Sequence, residues 1–352
     1  MGDKRIASLD VLRVLSMFFV VVSHYIYFGI KPRPELQEYY SLQSLMGGVN
    51  FITLEALYII SCVAVNCFVM ISGYFLIEKT SYRWKGILNV WIETLFYSIL
   101  FLVAALILKG SVPLADIPYH IFPIWSQHYW FVTFYIGLML LAPMIARATV
   151  ALNEKQYMIL LLILFVMNFQ YLYGSVYGGF ASLMWFSFLF LVGGYFKRFG
   201  CPEWITRHKG VLLLGIWGAL TLMALGMNLI KGGNATLVST SYHGPVFFLS
   251  VSVFVYFAYT ELNGKWVDLA CKIAPYTFAV YLIHFNGFLR DRIWNVVVPG
   301  SPRLPIIVYC LVACFLIFVV CVLIDIIRSK IFEATKLNHQ IDRLASRLQR
   351  FG

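Results

Sequence analysis

The chain alternates long apolar stretches with short polar segments. A helical window of about twenty residues, which crosses roughly 30 Å of hydrocarbon, locates ten such stretches along the sequence. They cover residues 8–30, 52–77, 87–109, 129–146, 157–174, 180–196, 211–230, 244–260, 273–289 and 306–327. The fifth and sixth are nearly continuous, so nine spans is the alternative. The pattern predicts an all-α integral membrane protein of about ten transmembrane helices.

Composition and charge strengthen this prediction. Hydrophobic residues make up 61% of the chain and charged residues only 12%, which excludes the soluble globular classes. A ten-span arrangement with both termini in the cytoplasm places most of the 27 Lys and Arg residues on the inner side. This agrees with the general excess of Lys and Arg in cytoplasmic loops. The net charge of +11 is therefore interpreted as contact with anionic lipid and not with nucleic acid. The expected location is the inner (plasma) membrane, as a multi-pass protein.

The chain has room for one membrane domain and a short tail. Residues 1–327 contain all the apolar stretches and no internal repeat, and residues 328–352 form a basic tail. Apolar residues recur in this tail at spacings of four and three, namely Leu337, Ile341, Leu344, Leu348 and Phe351. The spacing predicts an amphipathic helix, either on the inner leaflet or in solvent. The seven cysteines show no metal-ligand grouping, so no metal is expected.

Three residues with acidic, basic or imidazole side chains lie in the first apolar stretch, where such groups are costly and are candidates for function. They are Asp10, Arg13 and His24. Eleven residues at about 100° each bring His24 to within roughly 20° of Arg13, about 16 Å further along the helix axis. One helix face then presents a cation at the cytosolic mouth and an imidazole deep in the membrane. In the alternative interpretation, Arg13 extends to the headgroups beside Asp10 and His24 makes an interhelical hydrogen bond.

Four segments resemble the membrane acyltransferase-3 family, in the order and at the spans where that family carries them. They are Ser8-Leu9-Asp10-Val11-Leu12-Arg13 with Val22-Ser23-His24, then Phe68-Val69-Met70-Ile71-Ser72-Gly73-Tyr74-Phe75-Leu76, then His128-Tyr129-Trp130-Phe131 with Leu141-Ala142-Pro143, and Ala279-Val280-Tyr281-Leu282-Ile283-His284. The resemblance covers essentially the whole chain. It is closest to the branch that O-acetylates surface polysaccharides, including enterobacterial common antigen.

The resemblance implies a membrane-bound O-acyltransferase. Such an enzyme moves an acyl group, usually acetyl from cytosolic acetyl-CoA, to a hydroxyl of a cell-envelope glycan or its lipid-linked precursor. The functional Arg and His of the family's first span correspond to Arg13 and His24. The family usually carries two arginines three apart in the basic inner loop after the second span. This chain instead has Arg83 and Lys85 in the segment Tyr82-Arg83-Trp84-Lys85-Gly86.

The chemistry of acyl transfer assigns roles to these residues. A sugar hydroxyl that attacks a thioester needs a base to accept its proton, and His24 suits this role because burial disfavours the imidazolium form. Asp10 and Arg13 lie on the same helix face as His24 and are predicted to belong to the catalytic site with it. Arg13, Arg83 and Lys85 are the candidates for binding the CoA phosphates. Both direct transfer and an acyl-imidazole on His24 remain open.

Further polar residues are candidates for substrate binding or for packing. His284 and Tyr281 share a helix face in the ninth span, and His128 and Trp130 begin the fourth. These four are the predicted substrate-binding residues. Interhelical hydrogen bonding and an interfacial aromatic belt are the alternatives. Glu93, a carboxylate in the third span, needs a cationic partner, either Arg13 or an inner-loop cation.

Two other classes of function compete with the enzyme. A glycolipid transporter or flippase would use Arg13, His24 and His284 to line a translocation path. Transporters of this kind commonly contain repeats with interrupted helices at matching positions, and the sequence shows no such correspondence. In a membrane scaffold, the polar residues would only specify packing, and replacement of His24 would cost stability but not activity.

Overall fold

The computed structural model describes residues 6–42, 44–109, 112–168, 179–230 and 244–350, and this part of the chain is helical without strands. The first helices are α1 Ala7–His24, α2 Leu45–Ser61, α3 Ala64–Leu76, α4 Trp84–Lys109, α5 Ile117–Ile121, α6 Trp130–Thr149, α7 Glu154–Met167 and α8 Gly179–Phe199. The remaining helices are α9 Glu203–Ile230, α10 Pro245–Ala258, α11 Lys265–Ile273, α12 Thr277–His284, α13 Gly287–Val297, α14 Ile306–Ala334 and α15 Leu337–Leu348. The predicted all-α class is confirmed.

Seven helical segments within the described ranges are long and apolar enough to cross a membrane. They are Ala7–Ile30, Leu45–Leu76, Trp84–Leu108, Trp130–Thr149, Glu203–Ile230, Lys265–His284 and Ile306–Ala334. Helix α10 is apolar but shorter, and the predicted stretch 157–174 lies partly outside the described residues. The ten-span count and the cytoplasmic termini therefore stay predictions.

Helix α1 lies at the centre of the described helices and contacts α2, α3, α10, α11, α12 and α14. It continues beyond His24 as a π-helical turn, Tyr25–Ile30. Two predicted spans are interrupted. The stretch 52–77 divides at Cys62 and Val63 into α2 and α3, and the stretch 273–289 divides into a 3₁₀ turn at Ala274–Tyr276, then α12 and α13. Pro275 lies in the 3₁₀ turn, where its missing N–H cannot continue α11.

Helices α3 and α8 touch backbone to backbone. A Cβ added at Gly73 would lie 1.9 Å from the Phe190 carbonyl oxygen, and one added at Gly193 would lie 2.0 Å from the Met70 carbonyl oxygen. Only glycine permits this separation, as small residues do at membrane helix interfaces. The contact fixes the position of α3, which also packs against α1.

The tail forms a separate helix that packs against the membrane domain. Helix α14 ends at Ala334, and Lys336, at φ 57°, turns the chain into α15. Ile341 and Ala345 of α15 are buried against Leu88 of α4. Helix α15 contains four of the five apolar residues named from the spacing, and the fifth, Phe351, lies outside the described residues. The division at residue 328 stays a prediction.

Glu93 has a different cationic partner from those expected from the sequence. Its Oε2 atom lies 3.6 Å from Nη2 of Arg328, because α4 packs near α14. Arg328 also donates to both carboxylate oxygens of Asp325, at 2.6 and 2.9 Å, and Tyr97 donates to the same carboxylate at 2.8 Å. The cluster ties α4 to α14 and leaves Arg13 to other partners.

Candidate active site

A cavity of about 660 Å³ lies beside α1. Arg13 and His24 both line it, as their helical spacing predicts. Trp130 and Tyr281, two of the four predicted substrate-binding residues, line it as well. The rest of the lining is mostly apolar, which is typical of a site that encloses a ligand and orients it with few polar groups.

His24 and His284 form a hydrogen-bonded pair at one end of this cavity. Nδ1 of His24 lies 2.8 Å from Nε2 of His284. His24 lines the cavity, whereas His284 is fully buried behind it and is not a lining residue. The predicted substrate-binding residue His284 thus contacts the candidate base itself.

The hydrogen bonds determine the tautomer of each ring. Nδ1 of His284 lies 2.5 Å from the Val280 carbonyl oxygen, and a carbonyl only accepts, so this Nδ1 carries the proton. In a neutral His284 the other nitrogen, Nε2, is then an acceptor, and Nδ1 of His24 must donate to it. This arrangement leaves Nε2 of His24 with a lone pair, which is the requirement for a general base.

Aromatic rings hold His24 in place. The Phe285 ring stacks on it at a centroid distance of 5.0 Å, and the Phe28 ring meets it edge-on at 5.4 Å. Tyr281 lies 6.4 Å away and itself stacks on Phe285 at 5.1 Å. The imidazole is therefore fixed by its neighbours as well as by its hydrogen bond.

Arg13 lies at the opposite end of the cavity and joins it to a second one. Its Nη1 atom is 2.8 Å from Oδ1 of Asp10, the ion pair that belonged to the alternative interpretation of α1. The second cavity, of about 350 Å³, is lined by Arg13 together with Lys79 and Arg83. Three cations thus line the cavity that adjoins the one containing His24.

Two further predicted binding residues, Lys85 and His128, do not line the cavity beside α1. Lys85 forms an ion pair with Asp342 of α15 at 2.7 Å. His128 lies in the turn before α6, with its ring centroid 5.0 Å from that of His120. Burial, and secondarily the neighbouring His120, lowers the pKa of His128 to about 4. His128 is not among the residues that line the cavity beside α1.

Sequence reasoning missed several residues of the site. Lys79 belongs to the loop that the charge pattern predicts to be on the inner side, but nothing in its spacing distinguished it from the neighbouring cations. Ser72 and Tyr135 line the cavity as a hydrogen-bonded pair at 3.0 Å, and Phe285 is indistinguishable from a packing residue by sequence. These contacts depend on how α3, α6, α12 and the segment after α12 meet.

The described residues define a helical membrane protein with a histidine pair and an approach lined by cations. Among them, no group of His, Cys, Asp or Glu side chains is arranged to hold a metal ion. The family model described as an acyltransferase domain matches residues 6–326, and the chain belongs to this acyltransferase-3 family. The protein is therefore an acyltransferase enzyme. No curated protein and no solved structure gives a significant match.

Proposed function

We propose that the protein transfers an acetyl group from acetyl-CoA to a hydroxyl of a cell-envelope sugar or lipid-linked glycan, in the inner membrane. The observation that carries this proposal is the single cavity that has Arg13 at one end and the His24–His284 pair at the other. Along α1 the two residues are about 16 Å apart. This distance is comparable with the reach of a pantetheine arm from a phosphate bound at Arg13.

Donor binding is assigned to the cations. Arg13 and Arg83, which line the 350 Å³ cavity with Lys79, would meet the phosphates by charge-assisted hydrogen bonds. Lys85 joins them once the donor competes with Asp342. Asp10 orients Arg13 through their ion pair. The thioester would then lie in the cavity beside the imidazole of His24.

Acceptor activation is assigned to the histidine pair. Nε2 of His24 accepts the proton of the sugar hydroxyl while the hydroxyl oxygen attacks the thioester carbon. The carbon–sulfur bond then breaks, the CoA thiolate leaves, and the proton held by His24 returns to the sulfur. His284 is assigned to hold His24 in the tautomer that exposes Nε2. Trp130 and Tyr281 line the space available to the acceptor, and His128 stays a predicted acceptor contact.

A transfer assay tests the proposal. Purified protein is incubated with acetyl-CoA labelled in the acetyl group and with candidate lipid-linked glycans, and the glycan fraction is scored for label. Label in the glycan, lost on mild alkaline treatment that cleaves esters, is the expected result. If labelled acetyl remains on CoA with every acceptor while the glycolipid crosses vesicle membranes, the transporter alternative is favoured.

A further inference from the structure

A third cavity lies between α15 and the beginning of α4. It has a volume of about 970 Å³. Its lining includes Arg83, Trp84 and Lys85 from the α4 side and Ser346, Gln349 and Arg350 from α15. Ser81, Arg83 and Gly86 line both this cavity and the smaller one that contains Arg13. The three cavities therefore adjoin in sequence, from α15 past Arg13 to His24.

Helix α15 is held over this cavity by its apolar face. Ile341 and Ala345 are buried against Leu88 of α4, and Asp342 adds the ion pair with Lys85. The polar residues Ser346, Gln349 and Arg350 are left to line the cavity. Membership of the family does not assign this arrangement, since the matched residues end at 326.

We propose that α15 forms one wall of the subsite for the phosphorylated adenosine end of the donor, with Arg350 and Gln349 contacting it opposite Arg83 and Lys85. This inference rests on the proposed function, because it extends the proposed donor path from Arg13 to α15. The position fits a CoA ester whose thioester lies near His24. Its nucleotide must then lie at the end of the path that is farthest from His24, which is the cavity beside α15.

The chemistry of the lining fits such a group. Arg83, Lys85 and Arg350 supply three cations against the single carboxylate of Asp342, and CoA carries several phosphate charges. The rings of Tyr82 and Trp84 stack on each other at 5.1 Å and line the same cavity, so an aromatic face is available for adenine. Because Asp342 neutralises Lys85 when no donor is bound, the phosphates must displace this carboxylate to reach Lys85.

Two charge reversals on one helix test the proposal in the full-length protein. Arg350→Glu changes a lining residue, whereas Arg347→Glu makes the same change in net charge on an exposed residue that does not line the cavity. Affinity for CoA is measured in detergent by calorimetric titration. Loss of a charge-assisted contact predicts that Arg350→Glu weakens CoA binding about tenfold or more, and that Arg347→Glu changes it by less than about twofold.

A second variant and a second donor distinguish the loss of the subsite from general damage to the fold. Gln349→Glu keeps the side-chain shape but places a negative charge beside the phosphates, so it should weaken CoA binding several-fold. Turnover with S-acetylpantetheine, which lacks the nucleotide, should be unchanged in both lining variants. Equal CoA affinities for the lining variants and Arg347→Glu would overturn the subsite alone. Absence of CoA binding by the unaltered protein would overturn the proposed function and the subsite with it.

Discussion

Nδ1 of His24 lies 2.8 Å from Nε2 of His284, a residue 260 positions further along the chain. Because the Val280 carbonyl accepts from the other nitrogen of His284, the pair orients His24 and selects its tautomer.

We expect His284→Gln to retain part of the activity, since its amide oxygen accepts from Nδ1 of His24, and His284→Leu to retain much less. The measurement is kcat and KM for acetyl-CoA. A positioning role lowers kcat at unchanged KM, and equal kcat for the two variants would contradict it.

His24→Gln should abolish transfer without abolishing donor binding. Glutamine keeps polarity and approximate volume but does not accept a proton near neutral pH, and loss of a general base costs about 10²–10⁴ in rate. Turnover per folded molecule and CoA affinity are measured on the same monodisperse preparation. Transfer near the unaltered rate would show that His24 is not the base.

Arg13→Ala should weaken CoA binding about tenfold or more, the loss expected for one charge-assisted contact of about 1.5–3 kcal/mol. Arg13→Lys keeps the charge but not the forked geometry, so its affinity for CoA should lie between those of Arg13→Ala and the unaltered protein. Lys155→Ala is the matched control, because Lys155 is an exposed cation of α7 outside the three cavities. Unchanged affinity in Arg13→Ala would reject its assignment to the donor phosphates.

Gly73→Ala should destabilise the protein strongly. The added methyl would lie 1.9 Å from the Phe190 carbonyl oxygen, so α3 and α8 must separate, and overpacking typically costs about 1–3 kcal/mol. Gly215→Ala in α9 meets nothing within 4 Å and should be neutral or stabilising by up to about 1 kcal/mol. The midpoint of thermal unfolding in detergent compares them, and similar midpoints would contradict the close contact.

Stability should fall between pH 6.5 and 4 partly because of His128. Burial first, and then His120, lowers the pKa of His128 from 6.5 to about 4, so in this window the unfolded chain binds a proton that the folded chain does not. Acidification therefore favours unfolding, and the contribution is present above pH 6.5. His128→Asn should lose less thermal stability than the unaltered protein between pH 7 and pH 5. The exposed His208, changed to Asn, is the control and should behave like the unaltered protein.

Local spacing was sufficient to place Arg13 and His24 on one cavity, because both belong to a single helix whose geometry is regular over the interval. The partner of His24 was not predictable, since it depends on how α1 meets α12 after most of the chain has intervened. The same limit applies to Glu93, whose cation comes from α14. Interruptions within apolar stretches, such as that at Cys62 and Val63, leave no hydropathy signal, so two predicted spans concealed shorter helices.

The π-helical turn at Tyr25–Ile30 lets the chain beyond His24 rotate independently of α1. A π turn contains about one residue more than an α turn, so it can arise from, or be removed by, a single insertion or deletion. Removing one residue there would rotate everything beyond it by about 100°. Tyr27 and Phe28, which line the cavity, would turn to other neighbours, and His24 would lose its edge-on contact with Phe28. Arg13 and the hydrogen bond between His24 and His284 do not involve the turn. Alignment gaps among relatives should therefore fall just after His24, where they change the cavity wall formed by Tyr27 and Phe28 and leave the backbone between Arg13 and His24 unchanged.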